Sequence, residues 1–300
     1  MAKKNNIDNI SFRKRLALDI FAKKRDIEIE KHQLNYLFWE ATLRCNLSCK
    51  HCGSDCKQSS LQKDMPLSDF LRAIDSIKPH VDTHKTMIVI TGGEPLMRKD
   101  LEKCGLELYK REFPWGIVSN GFALTKERIE SLLDSGMNAI TVSLDGLEES
   151  HNLMRGNPQS FSRTLKAIEH IASKGDEVVY DVVSCITSLT FNQMNDLKEL
   201  LIGIGVKSWR LFTVFPIGRA SNNDELQLTP VQFKSFFDFI KETRKEGRID
   251  ITYGCEGFLG SYENDVRDGF FFCRAGVNTG SILVDGSISA CPNMRANFIQ

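Results

Sequence analysis

Short apolar runs alternate with amphipathic stretches through most of this 300-residue chain. Candidate strands cover 34–42, 86–91, 115–119, 138–143, 178–186 and 208–214. Each run is short and unbroken, the pattern of parallel strands covered on their faces. Between them, apolar residues recur at helical spacing over 67–78, 98–111, 125–135, 158–174 and 191–203. Six strands alternating with five helices define an α/β chain, which right-handed crossovers wind into a parallel sheet or partial barrel. A helical arm precedes the repeat over 8–30, with Ile10, Phe12, Leu16, Ile20 and Phe21 at roughly helical spacing. Another helix follows over 229–246, with Pro230 near its start and Gly247 near its end. Beyond it the character changes: 249–300 holds three cysteines, the run Phe270-Phe271-Phe272 and a hairpin signal at Asp285-Gly286. The pattern therefore divides into an arm over 1–33, a barrel over 34–248 and a loop-rich module over 249–300.

Composition narrows the class. Hydrophobic residues make up 41 % of the chain, ample for a packed core, and 300 residues suit one large domain with an appendage. Thirty-nine basic residues balance 39 acidic ones, so bulk charge points to neither a nucleic-acid nor an anionic-membrane partner. The basic residues Lys3, Lys4, Arg13, Lys14, Arg15, Lys23, Lys24 and Arg25 read as the solvated face of the arm. No apolar run of about 18 residues occurs, and the start Met-Ala-Lys-Lys-Asn-Asn lacks a signal peptide's apolar segment. The expectation is a soluble, cytoplasmic protein, in which nine cysteines serve as ligands or core thiols rather than disulfides.

Cys45, Cys49 and Cys52 form a C-x3-C-x2-C triplet directly after the first strand. Parallel α/β architectures bind ligands at the carboxyl ends of their strands. Three thiolates on one loop suit a 4Fe-4S cluster with its fourth iron open, whereas an electron-transfer cluster is normally closed by four cysteines. The competing reading is a zinc knuckle completed by His51 and Cys56. The second strand ends in Gly92-Gly93-Glu94-Pro95, where backbone can approach a ligand closely and carbonyls can receive an ammonium group. Glu94 either joins that contact or caps the next helix. Asn120 and Ser143, at the ends of the third and fourth strands, offer groups suited to ribose hydroxyls or a carboxylate. Asp145-Gly146 reads as a turn former. Arg155 can clamp a carboxylate with two parallel hydrogen bonds. Cys104 in a helix and Cys185 in a strand read as small buried hydrophobes.

With these motifs at the ends of successive strands, residues 34–215 or so resemble the radical S-adenosylmethionine (radical SAM) superfamily. The resemblance implies a partial (β/α)6 barrel whose open iron binds the amino and carboxylate groups of SAM. Reductive cleavage then yields a 5′-deoxyadenosyl radical that abstracts hydrogen from a substrate. By position, Cys45, Cys49 and Cys52 become cluster ligands, Gly92, Gly93, Glu94 and Pro95 contact the methionine amino group, and Ser143 and Arg155 hold ribose and carboxylate. His51 takes the place of an aromatic residue near the adenine. The tail resembles the start of a SPASM or twitch module: Cys273, twelve residues, Gly286, four residues, Cys291. With Cys255, these would be ligands of an auxiliary iron–sulfur cluster, but the chain stops at Gln300 before the module's second cysteine group, which reads as truncation. The segment Phe215-Pro216-Ile217-Gly218-Arg219-Ala220 also looks like this branch. The implied function is hydrogen abstraction from a peptide or protein, with a flavodoxin or ferredoxin as electron donor. The alternatives are a radical SAM enzyme acting on a small metabolite and a non-catalytic iron–sulfur or zinc-binding interaction protein.

Overall fold

All six strands expected from the apolar pattern form, and they lie side by side in chain order. The computed structural model describes residues 11–254 and 257–293. In order, β1 (Tyr36–Thr42), β2 (Met87–Gly92), β3 (Trp115–Ser119), β4 (Met137–Ser143), β5 (Val179–Ile186) and β6 (Ser208–Thr213) pair in parallel with their neighbours. The crossovers are α2 (Leu67–Ile77), α3 (Leu101–Tyr109), α4 (Lys126–Asp134), α5 (Glu148–Arg155) with α6 (Ser160–Ser173), and α7 (Met194–Gly203). After α8 (Pro230–Glu246), β7 (Asp250–Tyr253) extends the β6 edge in parallel. At the opposite edge β8 (Thr279–Ile282) runs parallel to β1 and turns back into the antiparallel β9 (Ile288–Ser289). The hairpin expected at Asp285-Gly286 makes that turn, closed by Gly286 N–H donating to Leu283 O at 3.0 Å. The sheet is thus a nine-stranded partial barrel, open between β7 and β9. The segment 249–300 contributes strands to both edges of this sheet.

The strands were expected to be covered on both faces, but burial alternates along them. Trp39, Ile88, Ile90, Trp115, Ile117, Ile140, Val142, Val182, Trp209 and Leu211 are buried in one core with helix residues such as Phe70, Leu101, Ile129, Ile168, Leu197 and Phe236. Trp39 stacks on Phe70 at 3.8 Å with the rings nearly parallel. The intervening residues Val89, Thr91, Thr141, Asp181, Val183, Arg210 and Phe212 are half-buried or more exposed, on the face away from the helices. There Thr141 Oγ1 donates to Asp181 Oδ1 at 2.6 Å, and Arg210 pairs with Asp181 Oδ2 at 2.7 Å. Period-two burial follows from a curled sheet whose inner face is left as a half-open cavity.

Two local expectations change. Helix α5 stands outside the five helical stretches expected; it carries Glu148 and Glu149 in the first turn and Gly156 in the left-handed conformation just beyond it. The arm forms as α1 (Phe12–Lys31), yet no residue on it is buried and Phe12, Leu16 and Ile20 remain exposed. Its contacts are few: Phe21 meets Phe270 at 5.3 Å between ring centroids, and Asn278 Nδ2 donates to Glu28 Oε2 at 3.2 Å. Ile10 and Cys255 lie outside the described residues. Among the described residues no helix is long and apolar enough to cross a membrane, and no disulfide joins the described cysteines.

Candidate cluster and cofactor site

The site is built where β1 and β2 end. Thr42 Oγ1 donates to Asp64 Oδ1 at 2.6 Å, and Arg44 pairs with Asp64 Oδ2 at 2.5 Å. Cys45 N–H then donates to Lys57 O at 2.8 Å, closing the cysteine loop on itself. Inside it Cys45, Leu47, Cys49 and Cys56 form a buried cluster, with Leu43, Cys52 and Phe122 packed against it.

Gly92 and Gly93 dock this loop onto β2. Gly93 N–H donates to Thr42 O at 2.7 Å and Glu94 N–H to Arg44 O at 2.9 Å. Gly92 sits at φ +133°, and a Cβ there would lie 2.2 Å from Thr42 O; at Gly93 it would lie 2.2 Å from Arg44 O. Both glycines are therefore required by strand-to-loop contact alone. Gly93→Ala is expected to pry residue 44 from β2 at a cost of about 1–3 kcal/mol. Thermal unfolding of the apo protein and its iron content after reconstitution measure this, and an unchanged melting point would refute the clash.

Glu94 caps the short turn that follows and ties it to the end of β3. Its carboxylate accepts from Leu96 N–H at 3.3 Å, Ser119 Oγ at 2.9 Å and Asn120 N–H at 2.8 Å. Burial pushes it up to about 7, against the hydrogen bonds from Asn120 and Ser119. Pro95 opens the following short turn. Asn120 directs its Nδ2 toward Asn46 Oδ1 at 2.7 Å and Cys45 Sγ at 3.8 Å. Ser143 is half-buried at the end of β4, on the sheet face away from the helices.

Arg155, on α5, reaches the loop from another side. Its Nη1 lies 3.6 Å from Cys49 Sγ, and its Nε pairs with Asp145 Oδ2 at 2.8 Å. Asp145 was read as a turn former, yet it is 1 % exposed and also accepts from Cys185 N–H at 3.1 Å. Burial alone would raise its carboxyl, but the Arg155 guanidinium, the nearby imidazoles and the Cys185 N–H together outweigh that and hold it at about 2. His51 Nε2 stands 3.6 Å from the same carboxylate. His151 Nδ1 accepts from Asp145 N–H at 3.1 Å, and burial keeps this imidazole neutral with its pKa down to about 3.

The thiols sit in unequal surroundings. Burial pushes Cys45 up to about 11 and raises Cys49 as well. Cys52 is lowered to about 5, chiefly by a hydrogen bond with Cys56. Soft thiolates with nearby N–H and guanidinium donors suit iron–sulfur ligation. The zinc reading fits less well. His51 turns to Asp145, and among the described residues no three His, Cys, Asp or Glu side chains converge on one metal ion. Three thiols on one loop, with the Asn120 amide and the Arg155 guanidinium beside two of them, are a donor set that fits a 4Fe-4S cluster. Cys104 is buried in α3, Cys185 is half-buried on β5, Cys273 is exposed and Cys291 half-buried. The sequence marks Asp145 only as a turn former and Arg219 only as part of the segment 215–220; the contacts of Asp145 with Arg155 and of Arg219 with the cysteine loop come from the fold.

The family model of the radical SAM superfamily matches residues 39–201, and the chain belongs to that superfamily. Its cofactors are a 4Fe-4S cluster and S-adenosylmethionine. The chain is similar to an AdoMet-dependent heme synthase of Nitratidesulfovibrio vulgaris, 25 % identical over 77 % of this chain and 62 % of the relative. It is also similar to a GTP 3′,8-cyclase of Helicobacter pylori, 30 % identical over 47 % of this chain and 44 % of the relative. The first three curated relatives are matched over only 62 %, 60 % and 58 % of their own length. In fold it is similar to anSMEcpe with bound AdoMet, at a TM-score of 0.68 and 18 % identity over 88 % of this chain and 75 % of that one. A second fold neighbour is Streptococcus suis SuiB bound to precursor peptide SuiA, at a TM-score of 0.64 and 17 % identity over 98 % and 68 % of the two chains.

Proposed function

We propose that this chain is the catalytic part of a radical SAM enzyme that abstracts hydrogen from a peptide or protein substrate. The observation that carries the reading is the buried triplet Cys45, Cys49 and Cys52, docked through Gly92 and Gly93 onto the carboxyl end of β2. Cys45, Cys49 and Cys52 would hold the cluster, which, once reduced by a flavodoxin or ferredoxin, would supply the electron for cleavage of the SAM sulfonium to methionine and a 5′-deoxyadenosyl radical. The chain's own part is to hold three thiols on one loop and set Asn120 and Arg155 against two of them. Ser143 and Arg155 are assigned to the SAM ribose and carboxylate, with Asn120 and the segment Gly92, Gly93, Glu94 and Pro95 assigned to the same cofactor. Cys255, Cys273 and Cys291 are assigned to an auxiliary cluster of a SPASM- or twitch-like tail, with the barrel over 34–248 and the arm over 1–33. Support for a peptide comes from fold neighbours seen with peptides, SuiB with SuiA and anSMEcpe with the Cp18Cys peptide.

A small-molecule substrate is the second reading, favoured by the relatives named heme synthase and GTP cyclase. The test is anaerobic: reconstitute, reduce with dithionite, add SAM and follow 5′-deoxyadenosine. Repeating this with peptides encoded beside the gene, and separately with porphyrin and nucleotide pools, distinguishes the readings. A mass change in a peptide supports the first, and one confined to a small molecule overturns it. A fully loaded protein that forms no 5′-deoxyadenosine overturns both.

A further inference from the structure

The turn that follows β6 takes no part in the chemistry above, yet it grips the cysteine loop from 170 residues away. Arg219 Nε donates to Cys49 O at 2.7 Å, and its Nη1 donates to Cys56 O at 2.8 Å and to Asp55 Oδ1 at 2.8 Å. Arg219 N–H donates to Cys52 O at 2.9 Å, and Asn223 Nδ2 donates to Lys50 O at 3.3 Å. The carbonyls of Cys49, Lys50, Cys52 and Cys56 thus all find donors on one short segment. The approach is close enough to demand glycine. Gly218 has φ +59°, and a Cβ there would lie 2.3 Å from Gly53 O and 2.6 Å from Cys52 O.

We propose that residues 217–223 are a clamp that shapes the cysteine loop before iron arrives, with Arg219 as its positioning residue. The loop between Cys45 and Cys52 has no helix or strand of its own, so fixing it costs conformational entropy for each residue. A preformed loop has met that cost before the cluster binds. Its inward carbonyls also need donors, and a planar guanidinium reaches three acceptors at once where a lysine ammonium is a single point. The guanidinium lies beside ligand backbone, and a fixed cation there favours the more negative, reduced form of a cluster. Arg219 therefore has two separable effects, one of shape and one of charge.

The experiment compares wild type, Arg219→Lys, Arg219→Ala and Asp55→Asn as full chains. Iron loss to a chelator is followed after reconstitution, and the cluster's midpoint potential is obtained from EPR-monitored redox titration. Circular dichroism of the apo proteins is expected to be unchanged. Arg219→Lys is expected to lose iron about tenfold faster than wild type while keeping its potential, since the charge stays and the fork is lost. Arg219→Ala is expected to lose iron at least as fast and to shift to a lower potential. Asp55→Asn removes only exposed ion pairs with Arg219 and Lys57 and is expected to lose iron at the wild-type rate. Iron loss at the wild-type rate in Arg219→Lys overturns the clamp, and a wild-type potential in Arg219→Ala overturns the role of its charge. Should Arg219→Ala fail to fold, Arg219→Lys decides the clamp by iron loss alone.

Discussion

Cys49→Ala is expected to abolish 5′-deoxyadenosine formation and to remove the iron of the barrel cluster, about four per chain after reconstitution. Cys49 is buried and its sulfur lies 3.6 Å from Arg155 Nη1, so no exposed thiol can take its place without moving the loop. The loss is all-or-none in character, because a cube with two protein ligands leaves two irons uncovered to solvent and chelators. Cys104→Ala is the matched control. That thiol is equally buried but lies within α3, so its removal costs packing and leaves the iron count unchanged. Iron analysis and chromatography of the SAM products measure both variants. Full product formation by Cys49→Ala would end the reading of this loop as the cluster site.

Asp145→Asn should be the most destabilising single substitution around the site that leaves the cysteines in place. The Asp145–Arg155 pair is closed at 2.8 Å with both side chains less than a tenth exposed. Taking away the carboxylate charge strands a guanidinium that cannot deprotonate in a dry pocket, a penalty of about 3–5 kcal/mol. A fall in the melting point of the apo protein checks it. Asp145→Asn combined with Arg155→Gln is expected to regain much of the loss, because neither partner then carries a charge. If the single variant is the less damaging of the two, the pair is not what holds α5 against the cysteine loop. Cluster loading should follow stability here, since Arg155 is also the group nearest to Cys49 Sγ.

The two halves of the site were unequally legible. The triplet could be read because iron–sulfur chemistry requires three thiols within a few residues, and such spacing is a local property. Gly92 and Gly93 were legible as glycines needing close approach, although the group approached is the backbone of Thr42 and Arg44. Asp145 was misread because Asp-Gly is an ordinary turn signal, and nothing local reveals that a carboxylate will be buried against an arginine on a helix the pattern did not show. Burial on the inner sheet face was also misjudged. A run of apolar residues has the same appearance whether the second face is packed or left half-open.

The sequence by itself determined the order of strands and helices, the parallel sheet and the position of three thiols after the first strand. Those follow from periodicity and short spacing, which act over a few residues. Only the tertiary structure decided what surrounds the thiols. Arg155, Asn120 and Arg219 come from the connections that follow β4, β3 and β6 and meet one loop because the barrel gathers its carboxyl ends together. Such contacts depend on loop closure over tens to hundreds of residues, and no local pattern in the chain encodes them.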